Sequence, residues 1–283
     1  KQHQTPNWFK KAKFGIYAHW GIYSVPAAGP NVTWYPYWMY RPPSPQFDYH
    51  CKHYGHPSKF GYKDFIPMFK AEKFDAEEWA DIYSKSGAKF AGPVAEHHDG
   101  FPMWNCSDTE WCASKMGPKR DVVGELAEAI RAQGMKYMVA MHHAENWYFF
   151  PHWNKEFDTS KKEYENLYGE LHNLDNLSNQ AVYPNHWGRK TESQNKPSKA
   201  FHDRWLNRLK EVVNNYRPDY VWFDFGIRYI HEKYKKDFLS FYYNKEKDWN
   251  SEVVVSYKWH DLPPGSGLLD LELGGESELT HYD

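Results

Sequence analysis

Pro218-Asp219-Tyr220-Val221-Trp222-Phe223-Asp224-Phe225-Gly226 is an apolar run that ends on one carboxylate and a glycine turn. A helix-like stretch, 199–216, precedes it, and Pro218 stops that helix because the residue before a proline avoids the helical region. Consecutive apolar residues between such breaks read as a strand buried on both faces, the mark of a parallel sheet. Asp224 then stands at the C-terminal mouth of the strand, where a (β/α) barrel carries its chemistry. By position alone, Asp224 also suits the N-cap of a following helix.

Working outward, the order helix, stop and strand occurs three times. Asp75 and Glu78 form a capping-box pattern that opens 76–86, Gly87 closes it, and the apolar 89–95 runs into Glu96-His97-His98-Asp99-Gly100. Asp121 caps 122–133, whose Val122, Leu126, Ala129 and Ile130 share one face; Gly134 ends it, and 135–141 runs into His142-His143. The third unit is 199–216 followed by 220–223. Strands at 13–21, ending in His19-Trp20-Gly21, and at 252–258 bracket these units, and 268–273 supplies a sixth. The pattern predicts an α/β fold, a (β/α)8-like (TIM-type) barrel that has six of its eight strands here and is incomplete at the C-terminus. Parallel strands would gather His19, His97, His98, His142, Asp224, Lys258 and Glu272 at one rim. The Pro-, Tyr-, Trp- and His-rich stretches 27–62 and 147–195 read as loops over that rim.

A chain of 283 residues suits one barrel domain. Aromatic residues make up 19% of it, enough to fill a core and still present rings for stacking on sugar faces. Lys and Arg total 35 against 37 Asp and Glu, so near neutral pH no field favours nucleic acid or an anionic membrane; sixteen His add positive charge only in acid. No 18-residue apolar run spans a membrane. Three cysteines without a Cys-x-x-Cys pair argue against a zinc ribbon, while Cys106 and Cys112 are spaced to bridge a loop in an oxidising compartment. Neither a Gly-x-Gly-x-x-Gly turn nor a Walker A segment is present, so a rim of carboxylates, imidazoles and rings points to a neutral, hydroxyl-rich ligand. The paired histidines also offer metal ligands. Neighbours on a strand face opposite sides unless the strand has ended, and the spacings of barrel and helical metal hydrolases are missing, so sugar hydroxyls are the expected partners and no metal or cofactor is expected.

The segment Trp8-Phe9-Lys10-Lys11-Ala12-Lys13-Phe14-Gly15 leading to His19-Trp20-Gly21 is followed, in order, by Trp34-Tyr35, Trp38-Met39-Tyr40-Arg41, Phe74-Asp75-Ala76-Glu77-Glu78-Trp79, His97-His98-Asp99-Gly100-Phe101, Pro118-Lys119-Arg120-Asp121 and Trp222-Phe223-Asp224. Over nearly its whole length the chain thereby resembles the α-L-fucosidases of glycoside hydrolase family 29. The resemblance implies a retaining exo-hydrolase with a catalytic barrel, 1–283, usually followed by a C-terminal β-sandwich that has no counterpart here, so that the chain reads as a partial one. Asp224 matches the nucleophile; His19, His97 and His98 match residues that hydrogen-bond fucose hydroxyls; Trp34 matches an aromatic after the first-insertion turn. Trp222 falls where a ring packs by the sugar's methyl side, and His142 replaces a tyrosine on the third strand. Lys258 stands where the family often has an arginine, a departure that weakens a bidentate contact. Glu272, 14 residues after Lys258, lies about where the acid/base falls in some members, with Glu276 and Glu278 as competitors. The implied substrate is a fucosylated oligosaccharide or polysaccharide, and a secreted or periplasmic location follows from that class. The other readings are an endo-acting or related hydrolase of sulfated fucan or L-galactose-type sugars, which would want a basic cleft, and a catalytically silent carbohydrate-binding protein, which would bind without turnover.

Overall fold

The computed structural model describes residues 3–171, 196–259 and 261–271. Helix α1 (Asn7–Ala12) leads into strand β1 (Gly15–Ala18), and the first insertion holds the short helices α2 (Tyr35–Trp38) and α3 (Pro45–His53). Asp75 caps α4 (Ala76–Lys85) by accepting hydrogen bonds from the Glu77 and Glu78 amides, and strand β2 (Phe90–Glu96) follows. Asp121 caps α5 (Val122–Ala132) in the same way through Gly124 N–H at 2.9 Å, before β3 (Lys136–Met141). Gly87 and Gly134 close α4 and α5 with φ of 92° and 73°, a conformation that costs glycine little. Helix α6 (His143–Phe149) leads into the second insertion, which holds α7 (Glu165–Tyr168). Helix α8 (Lys199–Tyr216) feeds β4 (Tyr220–Phe223); α9 (Glu232–Trp249) feeds β5 (Val254–Lys258), and β6 (Leu268–Asp270) is the last strand among the described residues.

All five strand pairs are parallel and the strands neighbour one another in chain order. This sequential order is that of a barrel, and contacts between non-adjacent strands show that the sheet curls. The rings of Tyr17 on β1 and Trp222 on β4 lie 5.3 Å apart, and Phe90 on β2 meets Tyr220 on β4 at 5.5 Å. The architecture is thus a curled six-stranded part of a (β/α)8-type barrel. Its core has two layers, as the period-2 alternation of a strand requires. Val94, Met138, Ala140, Tyr220, Trp222 and Val254 pack inside the curl, floored by Trp8 and Phe9 of α1. Tyr137, Val139, Val221, Phe223 and Val255 face the helices instead.

The six strands and helices α4, α5 and α8 fall within a few residues of the sequence reading, whereas the short helices α1, α2, α3, α6 and α7 were not read as helices. The charged α9, whose buried face is Lys235, Phe238 and Tyr242, went unread. Cys106 and Cys112 do not bridge: all three cysteines are free, and Cys106 Sγ donates to Asp108 Oδ1 at 3.0 Å. The two insertions do lie together. Asp158 accepts from Tyr40 Oη at 2.8 Å and from Tyr168 Oη at 2.6 Å, and Tyr40 Oη in turn accepts from Tyr62 N–H.

Candidate active site

Strand parity assembles the site. Residues 138 and 140 of β3, 220 and 222 of β4, and 254 and 256 of β5 point into the curl, so the next residues in each series, His142, Asp224 and Lys258, do too. On β2 the register shifts between Val94 and Glu96. That irregularity reverses the alternation, sending Glu96 outward and His97 inward. Since β2 ends at Glu96 and β3 at Met141, His97, His98 and His142 lie beyond the regular strands and the opposite-face restriction no longer applies. All three converge, with ring centroids 4.5–5.0 Å apart, and His19 from β1 closes the group at 5.5 Å from His97 and 5.4 Å from His142.

Asp224 is buried at the centre and both of its oxygens are engaged. Oδ1 takes the Lys258 ammonium at 2.8 Å and the Phe225 backbone N–H at 2.9 Å. Oδ2 has His142 Nδ1 at 3.1 Å and His98 Nε2 at 3.2 Å, contacts that are short but oblique to a straight N–H···O bond. Burial pushes the Asp224 pKa up, but His142 and His98 outweigh it and hold the carboxyl well below its usual range. Burial in turn drives His142 down to about 3 against the pull of Asp224, so near neutral pH an uncharged imidazole faces a carboxylate. His97 is likewise held well below its ordinary value, first by burial and then by the neighbouring imidazoles. Asp224 caps no helix: the next long helix, α9, is capped by His231. Gly226 at φ 105° makes the turn after Asp224 feasible, because a Cβ there would meet Glu145 N at 2.8 Å.

Rings frame the carboxylate. Trp222 lies 5.3 Å from His142, with the Lys258 ammonium 5.1 Å from its centroid, and its indole N–H donates to Asp270 at the end of β6. Trp34, from the first insertion, meets His98 at 5.3 Å and Phe225 at 5.9 Å. Phe225, Phe149 and Trp259 were missed in the sequence. Phe225 and Phe149 flank His98 at 5.1 and 5.4 Å, and Phe225 stacks on Trp259 at 5.4 Å. Only the position of Phe225 next to Asp224 could have flagged one of them. Glu272, Glu276 and Glu278 lie outside the described residues; β6 ends two residues before Glu272.

Behind the site, the outward Glu96 binds His143 Nδ1 at 2.6 Å and the Arg208 guanidinium of α8, which also reaches Asp108 at 3.1 Å. Burial pushes Glu96 up, but Arg208 and His143 hold it below the usual carboxylate value. This buried ion pair pins the ends of β2 and β3, next to His97, His98 and His142. Among the described residues, two groups have the ligand types and spacing for a metal ion: His19, His97 and His142, and His98, His142 and Asp224.

A parallel (β/α)-barrel sheet with a buried, ionised carboxylate at the end of β4, ringed by imidazoles and indoles, defines the class of protein. The family model described as Alpha-L-fucosidase matches residues 1–270, and the chain belongs to that family. It is 32% identical over 257 residues to the tissue alpha-L-fucosidase of Rattus norvegicus, covering 90% of this chain and 47% of that protein. With the alpha-L-fucosidase of Dictyostelium discoideum the identity is 29% over 286 residues, 98% of this chain and 53% of that one. Among solved structures, Thermotoga maritima alpha-fucosidase in complex with fucose superposes with a TM-score of 0.67 at 33% identity, covering 92% of this chain and 58% of that one. The chain thus spans about half the length of the curated relatives it matches.

Proposed function

We propose that residues 1–283 are the catalytic barrel, in whole or in part, of a retaining exo-α-L-fucosidase that removes terminal fucose from oligosaccharides or polysaccharides outside the cell or in the periplasm. The observation that carries this reading is Asp224, an ionised carboxylate at a strand end beside four imidazoles and an indole. Lys258 and the Phe225 N–H anchor Oδ1, whereas Oδ2 turns to the histidines, where sugar hydroxyls would bind; Oδ2 is therefore the attacking atom. It displaces the leaving oxygen from the anomeric carbon and forms a glycosyl ester, as that oxygen takes a proton from a carboxylic acid, for which Glu272 is the candidate. The same carboxylate then removes a proton from water, which attacks the anomeric carbon, breaks its bond to Oδ2 and releases the Asp224 carboxylate, so that two inversions give net retention. This course requires the two carboxyls about 5–5.5 Å apart. His19, His97, His98 and His142 would hold the ring hydroxyls, and Trp34 and Trp222 its apolar faces.

Asp224→Ala tests the assignment. Turnover of an aryl α-L-fucoside should fall on the order of 10⁴-fold or more with folding intact, and azide should restore it with an inverted product. Wild-type-like turnover in that variant would overturn the role of Asp224. The Glu272→Ala, Glu276→Ala and Glu278→Ala series identifies the acid: the true one loses most on substrates with poor leaving groups and least on activated ones.

A further inference from the structure

The histidine cluster has a property that sugar binding alone does not require. His19, His97 and His142 each offer a ring nitrogen, and these three atoms all lie within 4.8 Å of one another. An ion placed among them would be at most about 2.8 Å from each, so closing to the roughly 2.0–2.1 Å of a zinc–imidazole bond takes side-chain shifts of under about 1 Å. Two of the rings are buried with nitrogens that lack a hydrogen-bond partner, Nδ1 of His97 and Nε2 of His142. The third, His19, is exposed and gives a route of entry. His142 also has the outer partner typical of a metal-binding histidine, because Asp224 Oδ2 lies 3.1 Å from its Nδ1 and leaves Nε2 for the ion.

We propose that His19, His97 and His142 form a site for a borderline divalent transition-metal ion of the Zn²⁺ type, overlapping the glycone pocket, so that such an ion inhibits reversibly and in competition with the sugar. Imidazole donors suit this class, whereas Mg²⁺ and Ca²⁺, which want oxygen ligands, would bind poorly. Metal binding follows from the geometry alone; the competition rests on the reading of these histidines as sugar ligands.

Co²⁺ is the probe, since its visible absorption reports tetrahedral coordination without any need for turnover. The expected result is one saturable tetrahedral band per chain, weakened more than about 10-fold in affinity by His19→Asn or His97→Asn, unchanged in the surface variant His53→Asn, and displaced by L-fucose. Zn²⁺ should then raise the KM for an aryl fucoside without lowering kcat. Absence of the band, or a band indifferent to His19→Asn, overturns the site; the exposed position of His19 makes that variant a safe one for folding. A band that survives saturating fucose overturns the overlap. Because binding is read without catalysis, an inert chain that shows the band defeats the proposed function and leaves the metal site standing, whereas an active chain without it defeats only the site.

Discussion

Asp224 illustrates how a carboxylate is kept charged in a buried site. Desolvation opposes ionisation, and the nearby donors prevail. A group whose folded pKa is depressed contributes stability that is present above the unfolded pKa and is lost as pH falls through the folded one. The ionised form of Asp224 that the proposed mechanism uses should therefore persist into acid, with the rising limb of kcat/KM below the usual carboxylate range. His142→Phe removes the largest attractive partner named for Asp224, and the rising limb should move to higher pH. The measurement is a pH profile of kcat/KM on an aryl fucoside, and an unmoved limb would show that Asp224 is held ionised by its other neighbours, His98 and Lys258. The identity of Asp224 was legible in the sequence because a strand end and a glycine turn are local signals. That His98, His142 and Lys258 share its rim was also expected, but which oxygen each meets was not, since they come from the ends of β2, β3 and β5.

At the scale of elements, the bulge in β2 and the Glu96–Arg208–His143 group act together. The bulge turns Glu96 away from the site and His97 toward it, and α8 supplies the guanidinium that makes a buried Glu96 tolerable. Removing one partner of such a pair strands the other, so Arg208→Leu should cost about 3–5 kcal/mol of stability, read as a lowered Tm, whereas Arg208→Lys keeps the charge and should cost less. Equal losses in both variants would mean that the guanidinium fork, and not the charge, is the determinant. Capping chemistry made α4 and α5 legible, because an Asp before an apolar stripe and a Gly after it act within one turn, and Pro218 marked the end of α8. Helix α9 lacked such an opening pair, and its many charges masked its apolar face. The β2 bulge leaves no mark in the sequence at all: Ala95-Glu96-His97 is compatible with either alternation until β3 is paired alongside.

For the whole molecule, the near balance of 35 basic and 37 acidic residues bears on the substrate. Sulfated fucan would call for an excess of cations in the cleft, and among the described residues the Lys258 ammonium at the site is paired with Asp224. The protein should pass through an immobilised sulfated polysaccharide at pH 7.5 and low salt, and retention that is lost with added salt would favour the endo-acting reading. Among the described residues no helix is long and apolar enough to cross a membrane.

The sequence by itself determined the parallel-strand architecture, the strand ends and the nucleophile candidate, because apolar periodicity, caps and glycine or proline stops act over a few residues. The tertiary structure alone decided that both His97 and His98 turn into the pocket beside His142, that Glu96 leaves it, and that Lys258 and two imidazoles divide the oxygens of Asp224. Those outcomes depend on register between strands far apart in the chain and on how sharply the sheet curls. A one-residue shift in pairing turns a side chain to the other face, and no local pattern records that shift.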